Sequence, residues 1–527
     1  MSLKAIEPRV PGWAPERLLT ALALAAVTAA CGGGDGGTGP TPPAPQGPSL
    51  RLVSGAGSTD TIEALSTAPL VVEVRDANGQ LRAGVNVRFD PFPSAPLPGC
   101  TGICFPVPQV APNGALTVSP VTVATDANGR VSLPYRFGTS PGEGKLAVTV
   151  PELALQDTAR FTILPGAAAR VEVVPADTAV SVGGSFSPRG GVVDRRGNPR
   201  PDAVSFTAGS AALTVSGNVV SGVAAARSFV VAELAGQRDT GWVSVVPQGE
   251  IAVYRYGPPA RLQRMKLDGT LVRSFDLPFS GAPDPDWSPD GQKLVGVTHG
   301  TAPRLAFYDL TDGTRTAIVD PAVGLRADSH PRYSRDGAWI YFNGAPATIG
   351  GFANVNGRGE LWRVRPDGSG AARVGPVGAL FSDDYSPSPS PDGTKVAFQS
   401  SRDEGGTGTT LRVLDLATGI ESYPGGVRII VEWLAWSPTD AQMIAFGIPD
   451  ATPTARGLRI DAIRPDGTGR RTLSPAGRVY VHFTWSPDGK WLLAKPADRT
   501  GFELIEVATG QVIPLPFTGL ESPVWRP

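Results

Sequence analysis

Histidine and cysteine are nearly missing from this chain: three of each in 527 residues. So few ligands cannot build the Cys/His clusters of zinc modules, and no histidine lies within a hundred residues of the paired Cys100 and Cys104. Excess charge is missing too, since 47 Lys and Arg face 48 Asp and Glu. A balanced chain offers no basic field for nucleic acid, so none is expected as a partner. Catalytic signatures are absent as well: there is no G-x-S-x-G elbow, no HExxH and no P-loop. Long helical patterns do not occur beyond the N-terminus, and no later apolar run is long enough for a transmembrane helix.

Glycine (65) and proline (53) are abundant instead. They punctuate short strands, so the chain reads as all-β, and its length asks for several domains. The N-terminus is a targeting segment. Lys4, Arg9 and Arg17 precede the apolar run "LLTALALAAVTAA" (18–30), which ends in small residues before Cys31. The segment resembles a bacterial lipoprotein signal with "TAAC" (28–31) as its lipobox, although Thr28 stands where leucine is usual. The resemblance implies that residues 1–30 are removed, that Cys31 is acylated, and that 31–48, rich in Gly and Pro, is a tether. Gly32 in place of an aspartate after the cysteine implies the outer membrane, on its periplasmic or surface side. In such an oxidising compartment Cys100 and Cys104 are expected to form a local disulfide.

In the middle, "LVVEVRDANGQLRAGVNVRF" (70–89) shows alternating Val72, Val74, Val85, Val87 and Phe89, with "DANG" (76–79) as the turn between strands. "DANG" returns at 126–129, and "VVDRRGNPRPDAVSF" (192–206) repeats the pattern with Gly197 and Phe206 in the places of Gly79 and Phe89. These segments resemble bacterial immunoglobulin-like domains of the invasin/intimin kind. The resemblance implies two β-sandwiches, 49–165 and 168–247, acting as spacers. The Pro-rich insertion 91–112 reads as a stiff exposed excursion.

From residue 250 two motifs recur. An aromatic followed by a Ser-Pro-Asp-Gly-like turn occurs as "WSPDG" (287–291), "YSRDG" (333–337), "PSPDG" (389–393), "WSPTD" (436–440), "WSPDG" (485–489) and a last copy opening at Trp525. In this turn Pro presets φ at the first corner and Gly takes the left-handed position. The aromatic is a plug for the layer between neighbouring sheets, and Pro389 weakens the third copy. The second motif is a Gly-ended hairpin turn at 266–270, 310–314, 365–369, 416–420, 464–468 and 507–511. There are six of each, offset by one. If the strand at 522–526 pairs with the chain at 250–277, the two incomplete units become one blade of a closed six-bladed β-propeller spanning 250–527.

"WSPDG" followed by "QKLVGV", "TKVAFQS" or "KWLLAK" resembles the TolB-like propeller repeat. The resemblance implies a fold; the α/β domain that TolB carries before its propeller is replaced here, so its partners are not carried over. Three residues before each anchor stand Asp284, His330, Ser386, Trp433, His482 and Ser522, expected on the innermost strand and facing the channel. Polysaccharide lyases with related propellers bind a cation through histidines. By that resemblance Asp284, His330 and His482 form the metal set of an alternative reading, a carbohydrate-active enzyme. Asp290 and Asp392 read as turn residues, and "SSRDEGGTGTT" (400–410) as a solvated loop. The preferred expectation needs no cofactor. It is a monomeric, non-enzymatic, lipid-anchored envelope protein whose propeller face and inter-blade loops, such as 343–360, bind protein, peptide or glycan.

Overall fold

The computed structural model describes residues 47–527 apart from 93–99, 107–115, 118, 256–259, 278–284, 298–303, 311, 313, 318–325, 346–347, 350–351, 354–358, 376–383, 403–408, 425–428, 430, 452–455 and 499. Cys31 and Asp284 lie outside the described residues. Strands dominate. A 3₁₀ turn covers Pro151–Leu153, and among the described residues no helix is long and apolar enough to cross a membrane.

In the first unit, strands Ser49–Ser54, Leu70–Arg75 and Arg130–Leu133 form one sheet. Thr59–Thr61, Leu155–Leu164, Gly142–Val150, Asn86–Phe92 and Val121–Ala124 form the other. Alternation sends Leu70, Val72 and Val74 of one and Val87, Phe89, Val148 and Phe161 of the other into a shared core. The strands flanking "DANG" do not pair with each other, as a hairpin reading would have it. Leu70–Arg75 and Asn86–Phe92 lie in opposite sheets, and so do Val121–Ala124 and Arg130–Leu133. The turn is where the chain crosses the sandwich.

The turn's aspartate recurs in the second unit, although there the strands on either side, Arg189–Asp194 and Pro199–Arg200, do pair. Asp76, Asp126 and Asp194 each turn one carboxylate oxygen onto the backbone N–H groups two and four residues on, at 2.8–3.0 Å. The second unit is again built of facing sheets, with Val171 and Val173 opposite Val180, Val230 and Val243. Glu63 ties the two units by ion pairs to Arg195 and Arg196, and Asn198 Nδ2 donates to the Thr139 carbonyl at 2.9 Å.

From residue 250 the chain folds into antiparallel four-stranded meanders. Four are separate sheets, and two more are joined into an eight-stranded sheet through the single pairing Leu458↔Tyr480. In the second to sixth, the Ser-Pro-Asp-Gly-like turn joins the first and second strands, and in all six the second motif lies between the third and fourth. These turns therefore sit at one end of the strands, and the longer connections sit at the other. Glu521–Trp525 pairs antiparallel with Glu250–Arg255, with Trp525 opposite Ile251, so the last strand supplies the first position of the first meander.

Each meander shares a core with the next. Tyr254 and Leu262 pack with Trp287 and Leu294, Val295 with Ile340 and Trp362, and Tyr341 with Val396 and Leu414. Ala397 and Val413 pack with Trp436 and Phe446, and Ile460 with Trp485 and Leu492. Finally Leu493 and Phe502 pack with Ile251 and Met265 of the first meander. Sheets packed face to face in succession around an axis make a β-propeller. Val246, Ala179 and Ala225 of the second sandwich join the core at the seam, and Ser181 Oγ donates to Asp268 at 2.7 Å.

Candidate functional site at the propeller hub

The repeated turn is built the same way wherever its sequence is kept. Ser334, Ser390 and Ser486 each donate through Oγ to the Asp two residues on, at 2.6 Å, and accept the N–H of the residue five places on, at 2.9–3.0 Å. Ser288 and Asp290 do the same. Asp290 and Asp392 are turn residues, as their spacing implies. The closing glycine takes φ between 66° and 70° at Gly291, Gly337, Gly393 and Gly489, the left-handed region that a side chain would strain. "WSPTD" lacks that glycine, and there Ser437 Oγ accepts the N–H of Asp440 instead, at 3.2 Å.

The anchor aromatics are plugs with a polar tie. Trp287 Nε1 donates to the Val524 carbonyl at 3.2 Å, and Trp485 Nε1 to the Ala435 carbonyl at 3.1 Å, each reaching the innermost strand of the preceding meander. Around the axis the turns enclose a cavity of about 170 Å³. Every repeat contributes a residue pair to its wall: Trp287 and Pro289, Tyr333 and Arg335, Pro389 and Pro391, Trp436 and Pro438, Trp485 and Pro487, Trp525 and Pro527. A second cavity of about 400 Å³ flanks this rim between 247–250 and 486–488.

Beside Arg335, two further lining side chains are charged: Asp286 and Arg332. Burial raises the Asp286 carboxyl above its ordinary range, while Arg332 and the N–H groups of Tyr333 and Trp287 pull it back. Its Oδ2 accepts the Tyr333 N–H at 2.8 Å, which links two neighbouring innermost strands. Sequence reasoning missed these residues. The visible signal was "YSRDG", the copy in which arginine stands in the proline's place.

Of the residues three places before each anchor, the structure brings together His330, Trp433 and His482. The Trp433 ring centroid lies 5.4 Å from that of His330 and 4.5 Å from that of His482. The Arg332 guanidinium lies 6.0 Å from the Trp433 centroid, and Trp433 Nε1 donates to the Phe483 carbonyl at 3.0 Å. Both histidines thus meet an indole that is not a ligand. Among the described residues no group of three His, Cys, Asp or Glu is placed to hold a metal ion.

Ser386 is buried and Ser522 half-buried on their own innermost strands. His330, Ser386 and Ser522 all have positive φ, at 54°, 51° and 45°. Each sits at or beside a break in strand register. The sequence held the cue: Pro331, Pro387 and Pro523 follow these three residues, and no proline follows Trp433 or His482. A proline has no N–H for the ladder and restricts the residue before it, so the strand bulges there.

The ends of the segment 400–410 differ from a solvated loop, while 403–408 lie outside the described residues: Ser400, Ser401 and Thr410 are buried and Arg402 is 14% exposed. Arg402 pairs with Asp384, and with Glu421 at 2.7 Å; Glu421 also takes Arg412 at 3.0 Å. Opposite charges placed elsewhere in the sheet turn a polar stretch into a buried ionic cluster, which local composition cannot show. Burial raises the Asp384 carboxyl, against the pull of Arg402. Cys100 and Cys104 come together with Cα atoms 6.1 Å apart, a span that a disulfide bridges. Within 343–360, Thr348–Ile349 pairs with Phe352–Ala353, and much of the rest lies outside the described residues.

No family model matches the chain. Over 116 residues it is 34% identical to an uncharacterised protein of Agrobacterium fabrum, covering 22% of this chain and 34% of that one. Over 154 residues it is 31% identical to a protein TolB homolog of Chlorobium luteolum, covering 29% of this chain and 31% of the other. The chain thus spans about a third of the length of the curated relatives it matches. Among solved structures, TolB from Acinetobacter baumannii is 20% identical with a TM-score of 0.40, covering 53% of this chain and 67% of that one. An oligogalacturonate lyase in complex with manganese is 18% identical with a TM-score of 0.33, covering 51% and 72%.

Proposed function

We propose that the chain is a non-enzymatic, lipid-anchored protein of the cell envelope that presents a six-bladed propeller as a binding platform. One observation carries this reading: all six repeats deliver their anchor and rim residues to the wall of one cavity at the hub. Built sites on rigid rings bind at low ordering cost, because the ring and not the ligand fixes the geometry. Acylation at Cys31 attaches the chain to the outer membrane, and the two sandwiches, immunoglobulin-like modules at 49–165 and 168–247, are the spacer. The protein acts as a monomer with no cofactor.

A photo-crosslinking residue placed at rim position Pro438, and separately at Ile420, which is 64% exposed away from the hub, tests the platform. Irradiation in intact envelopes should give a discrete adduct from Pro438 alone. Equal labelling from both positions, or none from either, refutes the reading. Labelled palmitate should enter the wild-type chain and not Cys31→Ser.

A further inference from the structure

The outermost strand of each meander is a sheet edge, and most of these edges are short. Among the described residues Arg315–Ala317, Ala372–Arg373, Glu421–Ser422, Arg471–Thr472 and Val512–Leu515 run for two to four residues. The longest of these, Val512–Leu515, carries Pro514 and lies against the second sandwich, where Ser244 Oγ donates to the Pro514 carbonyl. Short strands, prolines and covering elements keep an edge from taking on a further strand. The first meander departs from that pattern. Its outermost strand, Leu271–Leu277, has seven residues and no proline. Among the described residues it pairs on one side alone, with Ala260–Lys266.

This edge is open and fixed in place. Leu271 is 52% exposed and Val272 40%, and Ser274 and Asp276 are exposed as well. Pairing is in regular register from Arg273 to Leu277 and slips only at the start, at Val272. The turn ahead of it is held at Asp268, which accepts the Thr270 N–H at 3.0 Å and Ser181 Oγ of the second sandwich at 2.7 Å. An open edge presents a row of N–H and C=O groups at strand spacing, and the chemistry that matches such a row is another extended backbone. A second copy of the chain fits it badly. Two identical strands pair antiparallel about a two-fold axis with side chains of one face opposite each other, so the centre falls on a residue. Centred on Ser274, the ladder sets Val272 against Asp276; centred on Arg273, it sets two guanidiniums together. Centred on Phe275, it leaves Leu271 and Val272 with no counterpart in the strand.

We propose that the outer edge of the first meander, Leu271–Leu277, takes an extended segment of a partner protein as a fifth strand, with uncharged β-branched or aromatic side chains against Leu271 and Val272. Main-chain hydrogen bonds hold such a segment, and its alternate side chains select it. The strand is the one farthest from the axis in its sheet, so the assignment stands apart from the hub platform.

The test uses the full chain and Val272→Lys, which puts a lysine on the exposed edge and should match wild type in circular dichroism and thermal melting. An array of random dodecapeptides is probed with both proteins. Wild type should select sequences rich in Val, Ile, Thr, Tyr and Phe, and the best of these should lose about tenfold in affinity for Val272→Lys. An added strand bonds its neighbour through every second N–H. N-methylation of alternate residues of the best peptide should therefore abolish binding in one phase and spare it in the other. Equal binding to Val272→Lys, equal sensitivity in both phases, or selection of no peptide at all overturns the inference. Sedimentation showing a wild-type dimer that Val272→Lys dissolves would give the edge to a second copy and overturn the choice of a partner protein. The adduct from Pro438 is read separately, so the hub platform stands or falls on its own result.

Discussion

Replacing Trp525 by alanine tests the closure on which the hub depends. Trp525 is 7% exposed, lies opposite Ile251 across the seam, and packs with Leu267, Trp491 and Leu520. A buried tryptophan withdraws roughly 150–250 Å² from water, worth about 4–6 kcal/mol at ~25 cal/mol per Å². Measured large-to-small changes at such sites run at about 3–5 kcal/mol, because the cavity relaxes only in part. A loss of about 4 kcal/mol is therefore expected, roughly a thousandfold in the unfolding equilibrium of the propeller. Urea denaturation followed by circular dichroism reads it, with Leu271→Ala, at a side chain 52% exposed, as the near-neutral control. Amide exchange over Glu250–Arg255 should speed up in the Trp525 variant. A loss below about 1 kcal/mol, with unchanged exchange there, would refute the claim that this strand pairing holds the ring shut.

Three further outcomes are expected. Burial pushes the Asp194 carboxyl up, but hydrogen bonds from the Asn198 side chain and the N–H groups of Gly166, Asn198 and Arg196 outweigh it and bring it from 3.8 to about 2. Its folded value lies below the unfolded one, so it contributes about 2 kcal/mol above pH ~4 that is lost as pH falls toward 2. Asp194→Asn should flatten that slope in urea midpoints taken between these values. Glu421→Ala should cost about 3–5 kcal/mol, since it leaves Arg402 and Arg412 buried with less compensation, and the variant's thermal midpoint checks it. Ser386→Val should cost about 1–3 kcal/mol, because a β-branched residue is forced to the φ of 51° that serine holds, whereas Ser386→Gly should not be destabilised.

Much of the architecture was legible because it is written locally and then repeated. A Ser-x-Asp-Gly turn needs only neighbouring residues, so its spacing marks each meander, and the offset between the two motifs marks the seam strand at 521–525. What stayed hidden depends on distant partners. Nothing near "DANG" says that the strands on either side belong to opposite sheets. Arg402 looks solvated until Asp384 and Glu421 are placed beside it. The convergence of His330, Trp433 and His482 was half legible: the three-residue offset put them on equivalent strands, but which of the set would touch depends on side-chain reach. The bulges could have been read from Pro331, Pro387 and Pro523, and the rim's chemistry from Arg335.

The attachment of the second sandwich has a consequence for access. Ser181 grips Asp268, in a turn between third and fourth strands, and 247–250 borders the cavity beside 486–488. The stem thus joins the wheel on its turn side, next to the hub opening and not behind it. On the proposed platform reading, a ligand would approach the hub with the stem standing on one flank.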